Sequence, residues 1–244
     1  MLFKALLFTL IVSPLVTAHG KVSVITGDAG GNTTALAIQG GIVPVPGKNS
    51  VTEVDTTVFR KTNILSDGLG RTTGQGANKV KMLAQVMALS GDTLPQVSDN
   101  GTISGVFHIV TTDGAGPVKA VLDPTGTGAF SKGTMLRTVT QVPGKHGNIA
   151  APQQRSLHMR ALVAMGIVKR AANVNEDFPV EFSVPAGTTC SGTINGINNV
   201  CLVKIANSNK AGPFGGVVAI QMASQVGSNN DTAVSTKCGR AFIA

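Results

Sequence analysis

Residues 103–123, ISGVFHIVTTDGAGPVKAVLD, consist of two extended apolar runs on either side of the turn sequence DGAGP. Successive side chains of a β-strand point to opposite faces, so Val106, His108 and Val110 are expected to share one face of the first run. The aromatic and aliphatic residues between them share the other face. This stretch therefore predicts two β-strands and places His108 in a buried strand close to a tight Gly-Pro turn.

Short strand-like runs recur along the rest of the chain. They are rich in Val, Thr, Ile and Phe and are separated by Gly, Pro and Asn turns, as in antiparallel β-proteins. The clearest are TMLRTVTQV at 134–142, FPVEFSVP at 178–185 and VVAIQMA at 217–223. KVKMLAQVMAL at 79–89 has the length and residue types of a helix, with a strand as the alternative. The predicted fold is mainly β, a β-sandwich with long loops and one or two short helices.

The segment HGKVSVIT at 19–26 alternates well enough to predict another strand, the first in the chain. We expect Val22 and Val24 on one face of this strand. Lys21 and Ile25 are expected on the opposite face, because side chains two residues apart share a face.

The first 18 residues are typical of a secretory signal peptide. Lys4 precedes an apolar run, Pro14 breaks that run, and the V-T-A ending fits the small-residue rule for cleavage after Ala18. No later stretch has the roughly 18 consecutive apolar residues of a membrane helix. We therefore expect a secreted, extracellular or cell-surface protein without stable membrane insertion. It would comprise one β-sandwich domain at 19–223 and a polar C-terminal extension at 224–244.

Charge and composition restrict the classes of partner. The chain has 20 Lys and Arg against 12 Asp and Glu, a formal net charge of +8, which favours an anionic wall polymer or membrane surface. Nucleic acid is a weaker interpretation, since the basic residues are scattered and no stacking aromatics lie among them. Trp and Tyr are absent, so the flat aromatic platform of many carbohydrate-binding surfaces is not available. A simple lectin is therefore disfavoured.

Three cysteines in an oxidising compartment allow one disulfide and one remaining thiol. Cys190 and Cys201 bracket the turn-rich decapeptide SGTINGINNV, so a bridge that closes this hairpin is the economical choice. Cys238 is then expected to be unpaired.

Three Asn-X-Thr sequons, at Asn32, Asn100 and Asn230, predict a glycoprotein. Each has a turn-like sequence around it. We therefore expect all three in surface loops.

Cleavage after Ala18 would leave His19 as the first residue, with a free α-amine beside its imidazole. This pair chelates a single metal ion, and a second imidazole opposite it completes a three-nitrogen plane. Nitrogen ligands in such an array suit copper. The alternative is that Ala-His is only the site of cleavage.

Several blocks of sequence together identify a family. They are HGKVSVITGDAGG at the mature start, VDTTVFR with a later GRT, FHIVTTDGAGPVKAVLD, TQVPGKHG, CSGTINGINNVC and NKAGPFGGVVAIQ. In this order they resemble the Egh-like family of secreted fungal virulence factors, which includes the appressorium-specific Gas and Mas surface proteins. The resemblance runs over nearly all of 19–223. It implies a fungal source, expression during host penetration and an extracellular or cell-surface location.

The C-terminal block of this family is also similar in layout to lytic polysaccharide monooxygenases. Those enzymes have an immunoglobulin-like β-sandwich fold and hold copper in a histidine brace. The similarity implies that His19 supplies two nitrogens and that Phe214, just before the last core strand, shields the axial position of the copper. Ordinary core packing is the alternative role for Phe214.

The second protein ligand is left open by the sequence. In the monooxygenases the second brace histidine lies in a loop that ends in Gly-Pro. Here either His108 reaches the ion from its strand, or Asp113 replaces an imidazole. His146 in the PGKHGN loop is a third choice, whereas His158 is expected to be structural.

These observations predict a secreted host-penetration protein with a mononuclear copper site, which oxidises a cell-wall polysaccharide. The alternative is a non-catalytic surface or copper-binding protein that contacts wall polymer or host surface. Other chemistries find little support. The chain has no GxSxG or HExxH motif, and no pair of carboxylates stands out for glycoside hydrolysis.

Overall fold

The computed structural model of the chain describes residues 20–39, 54–151, 157, 158, 161, 165 and 173–230. The predicted signal peptide, His19 and Cys238 lie outside these ranges. Within them, no helix is long and apolar enough to span a membrane.

The prediction of a mainly β fold is confirmed, because strands dominate the described residues. They are β1 Gly20–Gly27, β2 Gly30–Thr33, β3 Thr57–Val58, β4 Arg71–Thr72, β5 Gly76–Ala77, β6 Gln96–Val97, β7 Thr102–Thr111, β8 Lys119–Asp123, β9 Thr134–Thr140, β10 Asn173–Ser183, β11 Gly192–Ile194, β12 Ile197–Ala206 and β13 Phe214–Met222. The helices are α1 Leu83–Ser90 and α2 Ala223–Asn230, with short 3₁₀ turns at Val80–Met82 and Phe130–Lys132. The helix predicted at 79–89 is therefore present.

Seven strands hydrogen-bond in a closed ring, in the order β12, β8, β9, β10, β7, β1, β13 and back to β12. Within this ring β1 and β13 run parallel, and the other neighbours are antiparallel. Closure removes the free edges on which other chains add strands. The pairings thus describe a barrel. They do not by themselves show the finer prediction, an immunoglobulin-like sandwich.

The interior of the barrel is filled by alternate side chains of its strands. Fully buried members include Val22, Phe107, Phe182, Val203 and Val218. Removing this apolar surface from water is the main favourable contribution to folding, at about 25 cal/mol per Å².

A second apolar layer covers one outer side of the barrel. The outward residues of β12 and β13 are buried there beneath α1 and the segment that follows β3. This layer includes Leu36, Phe59, Leu83, Val86, Phe130, Leu202 and Val217. Strands β12 and β13 are therefore apolar on both faces.

Strand β1 follows its predicted alternation only as far as Val22. Its pairing register with β7 shifts between Val22 and Val24, a bulge that places one extra residue in β1. Ile25 consequently joins Val22 in the barrel interior, and Val24 is only partly buried. The prediction that Ile25 shares a face with Lys21 is wrong for this reason.

The predicted disulfide is confirmed. Strands β11 and β12 form a hairpin whose turn residues, Asn195 and Gly196, have φ angles of 51° and 81°. Asn-Gly favours such a turn because both residues tolerate positive φ. The bridge joins Cys190 and Cys201 with a Cα–Cα distance of 4.9 Å.

Two of the three sequons differ from their prediction of surface loops. Asn100 lies in an exposed turn as expected, but Asn32 lies in β2 and pairs with Thr26 of β1. Asn32 is therefore not in a loop. Asn230 is the last residue of α2, so the extension predicted from 224 onward begins as a helix.

Candidate metal site at the start of the first strand

The first described residue, Gly20, packs directly against the DGAGP loop. A Cβ atom at Gly20 would lie 2.1 Å from the carbonyl oxygen of Gly114 and 2.6 Å from the ring of Phe107. Glycine is required there because any side chain would collide with backbone. The loop that follows β7 is thereby held beside the residue that follows His19.

The PGKHGN loop is attached to the same place. The backbone N–H of Ala115 donates to the carbonyl of Gly147 at 3.1 Å. The backbone N–H of Gly147 donates to the carbonyl of Gly116 at 3.0 Å. His146 itself is exposed and has a φ of 52°. The structure thus brings the loop that carries this third candidate ligand to the start of β1.

Two asparagines between β12 and β13 fasten these loops. Asn207 donates from Nδ2 to the carbonyl of Ala115 at 2.8 Å. Asn209 donates from Nδ2 to the carbonyl of Asp113 at 2.7 Å. Both asparagines are buried, so the loop backbone is satisfied without water. Sequence reasoning missed both residues.

His108 lies on β7 with no exposed surface, as predicted for a buried strand. Its Nδ1 atom is 2.6 Å from Oδ1 of Asp177 on β10. A carboxylate only accepts hydrogen bonds, so Nδ1 is the donor, and in a neutral imidazole Nε2 then carries the lone pair. The carboxylate thereby fixes both the tautomer and the orientation of the ring.

The Nε2 atom of His108 is buried and has no hydrogen-bond partner among the described residues. The two ring nitrogens point in widely different directions, so Nε2 faces away from Asp177. A buried nitrogen with an unused lone pair, on a ring oriented by a carboxylate, is typical of a metal-binding histidine. The donor chemistry at this position therefore fits a metal ion.

Lys21 of β1 pairs with His108 of β7, and Asp177 of β10 pairs with His108 from the other side. Its ammonium is fully buried, 3.9 Å from Oδ2 of Asp55, and makes no hydrogen bond to a described residue. Burial lowers the pKa of Lys21, and the charges of Asp55 and Asp177 oppose this shift. Sequence reasoning missed this cluster, because a lysine in a strand is ordinarily solvated.

Asp113 lies in the loop that packs against Gly20. Its Oδ1 atom accepts a hydrogen bond from the hydroxyl of Thr111 at 2.8 Å. Burial raises the pKa of this carboxyl, and the Thr111 bond acts in the opposite direction. Asp113 is thus a partly buried carboxyl at the same end of the barrel as His108.

Phe214 is the first residue of β13 and is 1% exposed. The next residue, Gly215, pairs with Lys21, so the ring belongs to the strand beside the start of β1. Its backbone N–H donates to Oδ1 of Asn207 at 2.9 Å. His158, by contrast, is exposed.

Among the described residues, no group of three or more His, Cys, Asp or Glu side chains is close enough to hold a metal ion. His108 and Asp113 supply at most part of a ligand set. A three-ligand site at this end of the barrel would need at least one donor from outside the described residues, where the predicted ligand His19 lies.

Comparison with known proteins places the chain in a family. Residues 17–215 match the model of the Egh16-like virulence factor family. The match covers the barrel from its first strand to the start of β13. No solved structure matches the chain, so the predicted similarity in layout to lytic polysaccharide monooxygenases is not confirmed.

Two curated relatives come from Pyricularia oryzae. Appressoria-specific virulence factor GAS1 is 32% identical over 216 residues, which is 88% of this chain and 76% of the relative. Appressoria-specific virulence factor GAS2 is 37% identical over 164 residues, 66% of this chain and 49% of the relative. The alignment therefore spans about half of the second relative. The family model and these relatives confirm the predicted family, and the chain belongs to the Egh16-like virulence factors.

Proposed function

We propose that the chain is a secreted protein of fungal host penetration that binds one copper ion through His19 and His108. The observation that carries the proposal is the buried, unpartnered Nε2 atom of His108 on a ring held by Asp177. Membership of the family supports a virulence-associated role. Copper binding is the part of the proposal that goes beyond the family.

The register of the strands supports a meeting of the two histidines. Gly20 pairs with Ile109 and Lys21 with His108 in an antiparallel ladder. Residues two apart in a strand share a face, so if β1 continued by one residue, His19 would lie on the face of Lys21 and His108. The proposed ligands would then be diagonal neighbours across β1 and β7.

The available donors suit copper. The α-amine and imidazole of His19 and the Nε2 atom of His108 make a set of three nitrogens, which favours copper over calcium or magnesium. Copper held in this way supplies one-electron redox chemistry. Asp177 would position the His108 ring, Asp113 would offer a carboxylate from the adjoining loop, and Phe214 would shield the ion.

A catalytic role would be the oxidation of a C–H bond of a cell-wall polysaccharide, with O2 or peroxide as the oxidant and an external electron donor to reduce the copper. The burial of His108 and Lys21, both 0% exposed, favours the second candidate, a non-catalytic copper-binding or wall-binding protein. A polymer chain has no direct approach to a ring with no exposed surface. The two candidates share the copper site and differ in whether product forms.

Copper titration separates these possibilities. The protein is prepared with His19 as its true first residue, beside a control that carries one additional residue before His19. We expect tight binding of one copper ion in the first and weak binding in the second, because only a free α-amine completes the chelate. Equal weak binding in both would overturn the copper proposal. If copper binds, oxidised oligosaccharides released with reductant would identify the enzyme, and their absence would identify the binding protein.

A further inference from the structure

Lys204 is a buried cation on the outer face of the barrel, away from the His108 side. It lies on β12 between Leu202 and Ala206, which belong to the second apolar layer, and its side chain is 2% exposed. Its Nζ atom donates to the carbonyl of Ser66 at 3.0 Å. The same atom is 4.4 Å from the centroid of the Phe59 ring. An aromatic face stabilises a desolvated cation in part.

No carboxylate among the described residues lies within ion-pair distance of Lys204. Burial lowers the pKa of this lysine to about 8, and Asp67 acts in the opposite direction. At pH 7 the ammonium is still mostly protonated. A buried charge without a counter-ion is costly, so a bound anion would stabilise it.

Lys204 lines a cavity of about 700 Å³, which is within the usual size range of ligand pockets. Three further basic residues line it, and all three are exposed: Arg60, Lys61 and Arg71. Asp67 is the one carboxylate among the described lining residues. Its two oxygens accept from the N–H and hydroxyl of Ser131, at 2.8 and 3.1 Å. The cavity therefore has an excess of positive charge.

The wall of the cavity also contains an unused acceptor. Asn78 donates from Nδ2 to Thr57 and to the carbonyl of Leu69, both at 3.2 Å. Its Oδ1 atom is buried and has no partner among the described residues. A buried acceptor without a donor is rare in native proteins. A ligand hydroxyl would satisfy it.

We propose that this cavity binds a hydroxylated carboxylate, namely a uronic acid unit of an acidic polysaccharide. The carboxylate pairs with Lys204 and the arginines at the rim, and a sugar hydroxyl donates to Oδ1 of Asn78. Leu65 and Leu69 give the cavity aliphatic walls for the face of the sugar ring. A neutral sugar would leave the charge of Lys204 uncompensated. This site is separate from His19 and does not depend on copper.

The test is calorimetric titration of the full chain with oligogalacturonate, beside the neutral galactose oligomer of equal length and galactose 6-phosphate. Lys204→Met removes the buried charge and keeps an apolar stem of similar size. Arg71→Gln changes only an exposed rim residue, so it tests the site even if the first variant fails to fold. Lys210→Met, an exposed lysine outside the cavity, is the matched control.

We expect oligogalacturonate to bind and the neutral oligomer not to bind. Lys204→Met should weaken the acid's affinity by at least about tenfold and Arg71→Gln by severalfold, because charge-assisted bonds are lost. Lys210→Met should stay within about twofold of the parent protein. Equal binding of acid and neutral oligomers, unchanged affinity in Arg71→Gln, or tighter binding of galactose 6-phosphate would each overturn the assignment.

Discussion

The Nδ1 atom of His108 lies 2.6 Å from Oδ1 of Asp177, although the two residues are 69 positions apart in the chain. The contact exists because β7 and β10 are neighbours in the barrel and their register sets these two residues opposite each other. Lys21 stands on the other side of His108 in β1. A row of three ionisable side chains therefore crosses three strands on the outside of the barrel.

Replacing Asp177 with alanine should destabilise the protein. The change leaves Nδ1 of a fully buried histidine without an acceptor, which costs about 1–3 kcal/mol. Asp177→Asn retains an acceptor and should recover most of the loss. Chemical denaturation of both variants measures the effect, with Glu176→Ala, an exposed neighbour, as control. If Asp177→Ala and Glu176→Ala have the same unfolding free energy, the hydrogen bond does not stabilise the fold.

The strands were predictable because local pattern determines them. FPVEFSVP alternates in the sequence, and all but its last two residues lie in β10, yet the strand begins earlier, at Asn173. Its additional residues, NVNED, are mostly polar, and they are strand because Asn173 pairs with Thr111 of β7. Local hydrophobic alternation does not report such pairing. The residues at which strands begin and end were therefore not predictable, because they depend on pairing with strands distant in the chain.

Closure of the barrel and the content of the site were not predictable for a related reason. The parallel pairing of Lys21 with Gly215 joins the two ends of the domain, and no local pattern encodes it. A lysine in a strand is ordinarily solvated, so the burial of Lys21 and Lys204 was not expected. His108 was identified because its buried strand was evident from sequence. Asp177 was missed because its role depends on register.

Gly20→Ala should disrupt the start of the barrel. The new methyl group would lie 2.1 Å from the carbonyl oxygen of Gly114, and a backbone atom does not move aside as a flexible side chain does. Overpacking of this kind costs about 1–3 kcal/mol. Thermal unfolding measures it against Gly74→Ala, where the nearest atom is a glutamine side-chain nitrogen at 3.2 Å. A melting temperature no lower than that of Gly74→Ala would contradict the packing described for Gly20.

The buried charge of Lys204 should make stability depend on pH. Its pKa is about 8 in the folded protein, below its ordinary value of 10.5, so between these values the unfolded chain binds the additional proton. The free energy of unfolding should therefore rise between pH 8 and 10.5, by no more than about 3 kcal/mol. Four other charged groups among the described residues line the same cavity as Lys204. Asp67 favours the charged form of Lys204, and the other three are the cations Arg60, Lys61 and Arg71.

Denaturation across this pH range compares the parent protein with Lys204→Met, in which the rise should be missing. Lys210→Met reports the background from exposed lysines and should keep the rise. Identical pH profiles in all three proteins would show that Lys204 has an ordinary pKa.

Removing the disulfide should cost stability through the unfolded chain. The bridge between Cys190 and Cys201 closes a loop with a sequence separation of 11, for which the entropic contribution is about 3 kcal/mol. Chemical denaturation of the double variant Cys190→Ala, Cys201→Ala should give a free energy of unfolding that is lower by that amount. Cys238→Ala is the control and should leave stability unchanged. Loss of stability in the control alone would contradict the pairing.

The central claim, that His19 and His108 bind one copper ion, is tested most directly by pulsed electron paramagnetic resonance. The method counts the imidazoles on Cu(II) through their remote nitrogens. In protein with His19 as its first residue we expect two imidazoles, one in His108→Gln and two in His146→Gln, with circular dichroism confirming that each variant is folded. Two imidazoles in folded His108→Gln, or one in His146→Gln, would contradict the account.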